Sequence, residues 1–170
     1  MNVHREQVNI VMPGAVLPGM LGIPQDAAAI VLFAHGSGSS RHSPRNQYVA
    51  CRLTQEGLAT LLFDLMTPED ELADERSGGR LRFDIDFLAE RLAGAVDWVA
   101  RRRDAASWPI GLFGASAGAA AALVTATQRA DQIAAVVSRG GRPDLADEAL
   151  PRVAAPTLLI VGGEDHMVST

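Results

Sequence analysis

Residues 110–123 read IGLFGASAGAAAAL. An apolar run gives way to Gly114-Ala115-Ser116-Ala117-Gly118 and then to an alanine-rich segment of helical character. A strand that turns sharply into a helix with a serine at the corner is a nucleophile elbow, G-x-S-x-G. The corner lifts the serine clear of the sheet by holding its backbone in a strained conformation. The chain then passes close to itself, so the residues two before and two after the serine must lack bulk, as Gly114 and Gly118 do. The same five residues alone would also describe an ordinary small-residue turn. What separates the two is context, a buried strand before and a helix after. The helix start leaves Ala117 with a backbone N–H that can bind a developing oxyanion, in the favourable field of the helix dipole.

Outward from this corner the strand–helix alternation repeats. Residues 28–34, AAIVLFA, and 59–65, ATLLFDL, are continuous apolar runs of the kind buried on both faces of a sheet. Residues 133–138 and 157–162 add two more strands. A helix is expected from Pro44, with Ser43 as its cap, Gly57 as its end, and Tyr48, Cys51, Leu53 and Leu58 on its apolar side. Residues 84–103 place Ile85, Leu88, Leu92, Val96 and Val99 at helical spacing, with aspartates at the start and three arginines at the end. The acidic stretch 68–79 reads as solvated loop or short helix, and 139–153 as a polar connection. Residues 8–12 and 15–21 flank Pro13-Gly14 as an N-terminal hairpin. The whole implies an α/β fold: a mostly parallel central sheet with helices on both faces, in a single domain over residues 1–170.

Composition narrows the function. The 170 residues are 48% hydrophobic and 21% charged, with a net charge of −5. All the positive charge is arginine, and no clustered basic face suggests nucleic acid. Cys51 is the only cysteine, so no internal disulfide forms, which fits a reducing compartment. There is no secretory signal at the N-terminus and no apolar run long enough to span a bilayer, so no membrane association is expected. The expected location is cytoplasmic.

Two further loops carry chemistry. Residues 35–40, HGSGSS, directly follow a buried strand, where a second oxyanion N–H is required; Ser37 is the first choice as donor and Gly38 the second. His35 reads as a loop-positioning residue rather than a base. Residues 158–168, LLIVGGEDHMV, end a strand in two glycines and then offer Asp165, where a triad acid belongs, with Glu164 as the neighbouring alternative. Arg41, Arg45, Arg139 and Arg142 flank loops at the strand C-termini, the face where α/β sheets bind ligands; Arg41 and Arg139 are the candidates for holding an anionic substrate.

In this order, HGSGSSRHSPRN, LLFDLMTPEDE, GASAG, SRGGRPDL and LLIVGGED resemble the α/β-hydrolase fold in its dienelactone-hydrolase-like branch, in particular bacterial members of which some are fused to phosphoribosyltransferase domains. The resemblance runs from about Ala29 to the C-terminus. It implies Ser116 as nucleophile, Asp165 as the acid that orients a histidine, and Ser37 and Ala117 as oxyanion donors, without metal or organic cofactor. Dienelactone hydrolases proper use a cysteine nucleophile and a glutamate beside the oxyanion loop. Here those positions hold Ser116 and Gly36, which favours a general ester over a lactone.

The fold's chain order is Ser, Asp, His, with the histidine after one more strand. The sequence offers His4, His35, His42 and His166, none in the expected place. The expectation is therefore a hydrolase domain incomplete at its C-terminus, lacking the last strand and helix. Its last strand would show an unpaired edge and an apolar face that invite homo-oligomers. The short interval from Ser116 to Asp165 leaves no room for a large cap, so the site should be open to small soluble esters. Two other classes stand beside this one. One is an inactive α/β-hydrolase-fold module that binds a ligand. The other is a nucleotide-binding α/β domain built on Gly36-Ser37-Gly38 with Asp64 as ribose acid, a fingerprint broken at Arg41.

Overall fold

The computed structural model describes residues 2–165. Its elements run β1 (Val3–Met12), β2 (Ala15–Pro24), β3 (Ile30–Ala34), α1 (Pro44–Gln55), β4 (Ala59–Phe63), α2 (Pro68–Arg76), α3 (Ile85–Ala100), β5 (Ile110–Ser116), α4 (Ala117–Gln128), β6 (Ile133–Gly141) and β7 (Thr157–Ile160). One sheet of seven strands has the order β1-β2-β4-β3-β5-β6-β7. β1 and β2 form the expected hairpin, and β2 pairs antiparallel with β4. The other five strands are parallel. This is the α/β architecture that the alternation of buried runs and amphipathic helices implies.

Side chains alternate across the sheet, so each central strand feeds two layers. Ile30, Leu32 and Ala34 of β3 join Leu61 and Phe63 of β4 beneath α3 and α4, where Leu92, Val96 and Leu123 close the main core. Phe33, Leu62 and Phe113 face the other way and pack under Ala50 of α1. The rings of Phe33 and Phe113 lie 5.0 Å apart in a tilted arrangement, the geometry that aromatic quadrupoles favour. Together these residues exclude water from both faces beneath the elbow and hold the strand ends that carry the site.

Local signals explain most helix starts. The Ser43 hydroxyl accepts the Asn46 N–H ahead of Pro44, and Asp84 accepts the Phe87 N–H ahead of α3. The acidic stretch after β4 is a true helix, α2, begun by a capping box between Thr67 and Asp70. The connection after β6 contains 3-10 turns over Pro143–Arg152.

The apolar side expected for α1 is not the buried one. Tyr48 and Cys51 are exposed, while Asn46, Ala50 and Thr54 are buried, with Val49 and Leu53 partly so. Asn46, Ala50 and Thr54 are four apart and share one face. The small side chains let α1 sit close on the sheet, and this steric demand outweighed hydrophobicity. Trp98 and Trp108, partly buried, pack against the main core.

Among the described residues β7 is an edge strand. Leu158 and Leu159, pointing to opposite faces, are 55% and 52% exposed.

Candidate active site

Ser116 sits where β5 becomes α4, at φ 52° and ψ −128°. A positive φ is costly for a residue with a Cβ, because the side chain crowds the backbone. Packing keeps it there. A Cβ on Gly114 would lie 2.4 Å from the Ala119 Cα, and one on Gly118 would lie 2.3 Å from the Ala34 carbonyl oxygen and 2.4 Å from that of His35. Both glycines are therefore required by backbone contact, one on the helix side of the corner and one against β3.

The loop after β3 closes over the serine. A Cβ on Gly36 would fall 3.0 Å from the Ser116 Cβ and 3.7 Å from its Oγ, so the lack of a side chain here lets the loop pass close to Ser116. Among the described residues no acceptor takes the N–H of Ser37 or of Ala117. The loop's shape is set by three contacts. The Ser39 N–H donates to the Gly36 carbonyl at 3.1 Å. His35 Nδ1 lies 2.9 Å from the same oxygen, and its Nε2 accepts the Leu65 N–H at 3.1 Å. The Arg41 N–H donates to Asp64 at 2.7 Å, while its guanidinium pairs with the other carboxylate oxygen.

These bonds fix the tautomer of His35 with the proton on Nδ1. Burial holds its pKa below the ordinary 6.5, outweighing the Gly36 carbonyl and the more distant Asp64 and Glu71, which pull the other way. A neutral ring committed at both nitrogens is a staple between the loop and the end of β4. The Asp64 carboxylate, the ribose acid of the nucleotide alternative, is likewise committed to Arg41. The Gly36-Ser37-Gly38 run closes a turn and does not open a helix; α1 begins at Pro44.

Beyond the loop lies a cavity of about 550 Å3, lined among others by Ser37, His42, Leu65, Met66 and Glu71. On the opposite side of β5, Arg139 reaches Asn46 Oδ1 at 3.3 Å, and no carboxylate pairs with it among the described residues. Burial, and then the nearby Arg45 charge, lower its pKa. Arg142 is spoken for by Asp144.

Asp165 follows β7, and its Oδ2 lies 3.3 Å from where a Cβ of Gly140 would be. The acid and the serine therefore stand at the tops of strands two apart, with β6 between them. Of the histidines, His4 lies on β1 beside Glu6, four strands from β5, and His42 is exposed on the loop. His166 lies outside the described residues. Among the described residues no hydrogen bond reaches the Ser116 hydroxyl, and no cluster of three metal-ligating side chains occurs. No helix is long and apolar enough to cross a membrane.

Sequence reasoning did not single out Gly36, Gly140 and Gly141 as wall and spacer. The signal was present in the paired glycines of SRGG.

A search among solved structures finds a dienelactone hydrolase from Anabaena variabilis, with a TM-score of 0.91 and 57% identity, covering 95% of this chain and 74% of that one. A dienelactone hydrolase-like promiscuous phosphotriesterase from metagenomic libraries (TM-score 0.76, 17% identity, 98% of this chain and 72% of that one) shares the fold. Two curated relatives from Mycobacterium tuberculosis strains, both named putative phosphoribosyl transferase, are 55% identical over 163 residues; these are 96% of this chain and 36% of each relative. The chain thus spans about a third of the length of those proteins. A model of the dienelactone hydrolase family matches residues 17–170, and the chain belongs to that family.

Proposed function

We propose that this chain is the hydrolase portion of a serine esterase, acting on small soluble carboxylic esters or lactones through an acyl-enzyme. The observation that carries it is the backbone of Ser116, held at positive φ between two glycines where any added Cβ would force the backbone to shift. Strain of that size persists at a functional corner because the surrounding packing imposes it. Family membership and the 57% identical dienelactone hydrolase support the same reaction class.

In this mechanism the Ser116 hydroxyl attacks the ester carbonyl, and its proton passes to a general base. The oxyanion is bound by the N–H groups of Ser37 and Ala117, and the alcohol leaves after taking up the proton. Water then releases the acid by the reverse sequence. Strands lie about 5 Å apart, so two spacings separate the serine and Asp165 strand ends. An imidazole lying over Gly140 and Gly141 would bridge that gap, with Asp165 fixing its orientation. We assign that imidazole to a residue outside the described ones, since His35 is committed at both nitrogens.

Arg139, with Arg45 beside it, is the proposed anchor for an anionic group on the substrate; Arg41 holds the oxyanion loop through Asp64. A reducing, cytoplasmic setting suits a chain whose one cysteine is exposed.

Because no described residue hydrogen-bonds the Ser116 hydroxyl, we keep a second reading beside it, an inactive hydrolase-fold module that binds its ligand without turnover. Hydrolysis of p-nitrophenyl acetate by the longest natural form of the polypeptide, beside its Ser116→Ala variant, decides between them. Serine-dependent turnover supports the esterase; ligand binding without turnover supports the module. The phosphoribosyl transferase name of the two relatives belongs to chains of which 36% is matched here, so loss of Ser116 should leave any such activity of a longer protein intact.

A further inference from the structure

The register between β5 and β6 breaks at the elbow. Ala115 pairs with Arg139, but Ser116 pairs with Gly141, so Gly140 has no partner across the ladder. Gly140 has φ +50°. An unpaired glycine in the left-handed region within a strand pair is a β-bulge, which bends the strand and re-aims the residues after it. Here the bend carries the Arg142 N–H to the carbonyl of Ser116, at 3.2 Å. On its outer side the same residue meets Asp165, whose Oδ2 lies 3.3 Å from the position of an added Cβ. Gly141 is equally confined: a Cβ there would fall 2.1 Å from the Ser138 Oγ and 2.5 Å from the Ala119 Cβ.

We infer that Gly140 is a positioning residue that couples the nucleophile to the acid: its bulge holds the Ser116 peptide on one side and sets where the Asp165 carboxylate rests on the other. The inference rests on Ser116 being the nucleophile. It gives a reason for two adjacent glycines at the top of β6. The first must be left-handed and flat toward Asp165; the second must let the strand rejoin the elbow. Neither has a side chain with which to act on a substrate. Their effect is on the separation and orientation that an imidazole between Ser116 and Asp165 would have to match.

Two substitutions separate the backbone role from the contact with the acid. Alanine resists the left-handed conformation, whereas asparagine adopts it more readily but still places a Cβ against Asp165. In the longest natural form of the polypeptide, Gly140→Ala should lower kcat about 10²-fold with KM little changed, the order expected when reacting groups are misplaced by about 1 Å. It should also raise hydrogen exchange at the Arg142 amide. Gly140→Asn should restore Arg142 protection and thermal stability while kcat stays low and the pH profile shifts. Wild-type kcat in either variant would overturn the inference. So would activity that simply follows thermal stability through both.

Hydrogen exchange keeps the inference separable from the esterase reading. An inert wild type would overturn the nucleophile assignment and the catalytic role of Gly140 with it. Arg142 exchange would still show whether the bulge holds the elbow, and unchanged protection in Gly140→Ala would overturn that too.

Discussion

Gly118 lies against Ala34 so closely that a single added methyl group would sit 2.3 Å from the Ala34 carbonyl oxygen. The contact joins the first turn of α4 to the end of β3, the strand that leads into the loop of Gly36 and Ser37. It therefore sets the distance between the two halves of the site. Gly118→Ala must push α4 away from the sheet, and Gly114→Ala must do the same from the other side of the corner. Each should cost about 3 kcal/mol, at the upper end for overpacking of a close-packed interior. Urea unfolding of the two variants checks this; a loss under about 1 kcal/mol would show that the corner can relax.

Ser116→Gly should do the opposite. A glycine accepts φ 52° without steric cost, so the variant sheds the strain of the elbow, offset in part by the greater freedom of glycine in the unfolded chain. The expected net effect is a gain of about 1 kcal/mol over Ser116→Ala. Serine-dependent turnover should vanish in both. Equal melting temperatures for the two would mean that little strain is stored at Ser116.

His35 predicts a pH dependence of stability. Its folded pKa lies below 6.5 because the ring is buried, which outweighs the opposing pull of the Gly36 carbonyl, Asp64 and Glu71. Above 6.5 the folded and unfolded states are both neutral at this group. As the pH falls through 6.5 the unfolded chain takes up a proton that the folded state refuses, so stability declines until the lower folded value is passed. His35→Ala should flatten that part of the profile. At neutral pH it should cost about 1–3 kcal/mol, since the buried Leu65 N–H loses its acceptor. Urea midpoints measured at about pH 7.5 and about pH 5 in both proteins would show it. An acid limb of equal steepness in the variant would assign the effect to other groups.

Among the described residues β7 is an edge of the sheet, with Leu158, Leu159, Ile160 and Val161 all exposed and no charge among them. Unprotected apolar edges pair with other strands. We propose that the chain of these 170 residues self-associates through β7, and that Leu159→Lys reduces the association. Light scattering over a concentration series measures both. A monomer at every concentration would count against edge pairing.

The sheet and most of its helices could be read from sequence because each buried strand is a short apolar run bounded by turn residues. The elbow could be read because its glycines lie at fixed spacing about Ser116. The upstream part of β1, VHREQ, escaped because its alternation is polar on both faces and its pairing comes from β2. The extension of β6 to Gly141 escaped because Gly140-Gly141 reads as a strand end and a bulge is a tertiary decision. α1 was oriented by hydrophobicity, whereas the sheet selected its small residues. The commitment of Arg41 to Asp64 depends on a contact between separate loops, which no local pattern contains.

The central claim is that Ser116 is a nucleophile. Its most direct test is labelling of the longest natural form of the polypeptide with a fluorophosphonate, followed by intact-mass measurement and peptide mapping. The account predicts one adduct per chain, on Ser116, and none in Ser116→Ala. No adduct on the wild type, or an adduct that survives the Ser116→Ala substitution, would contradict it.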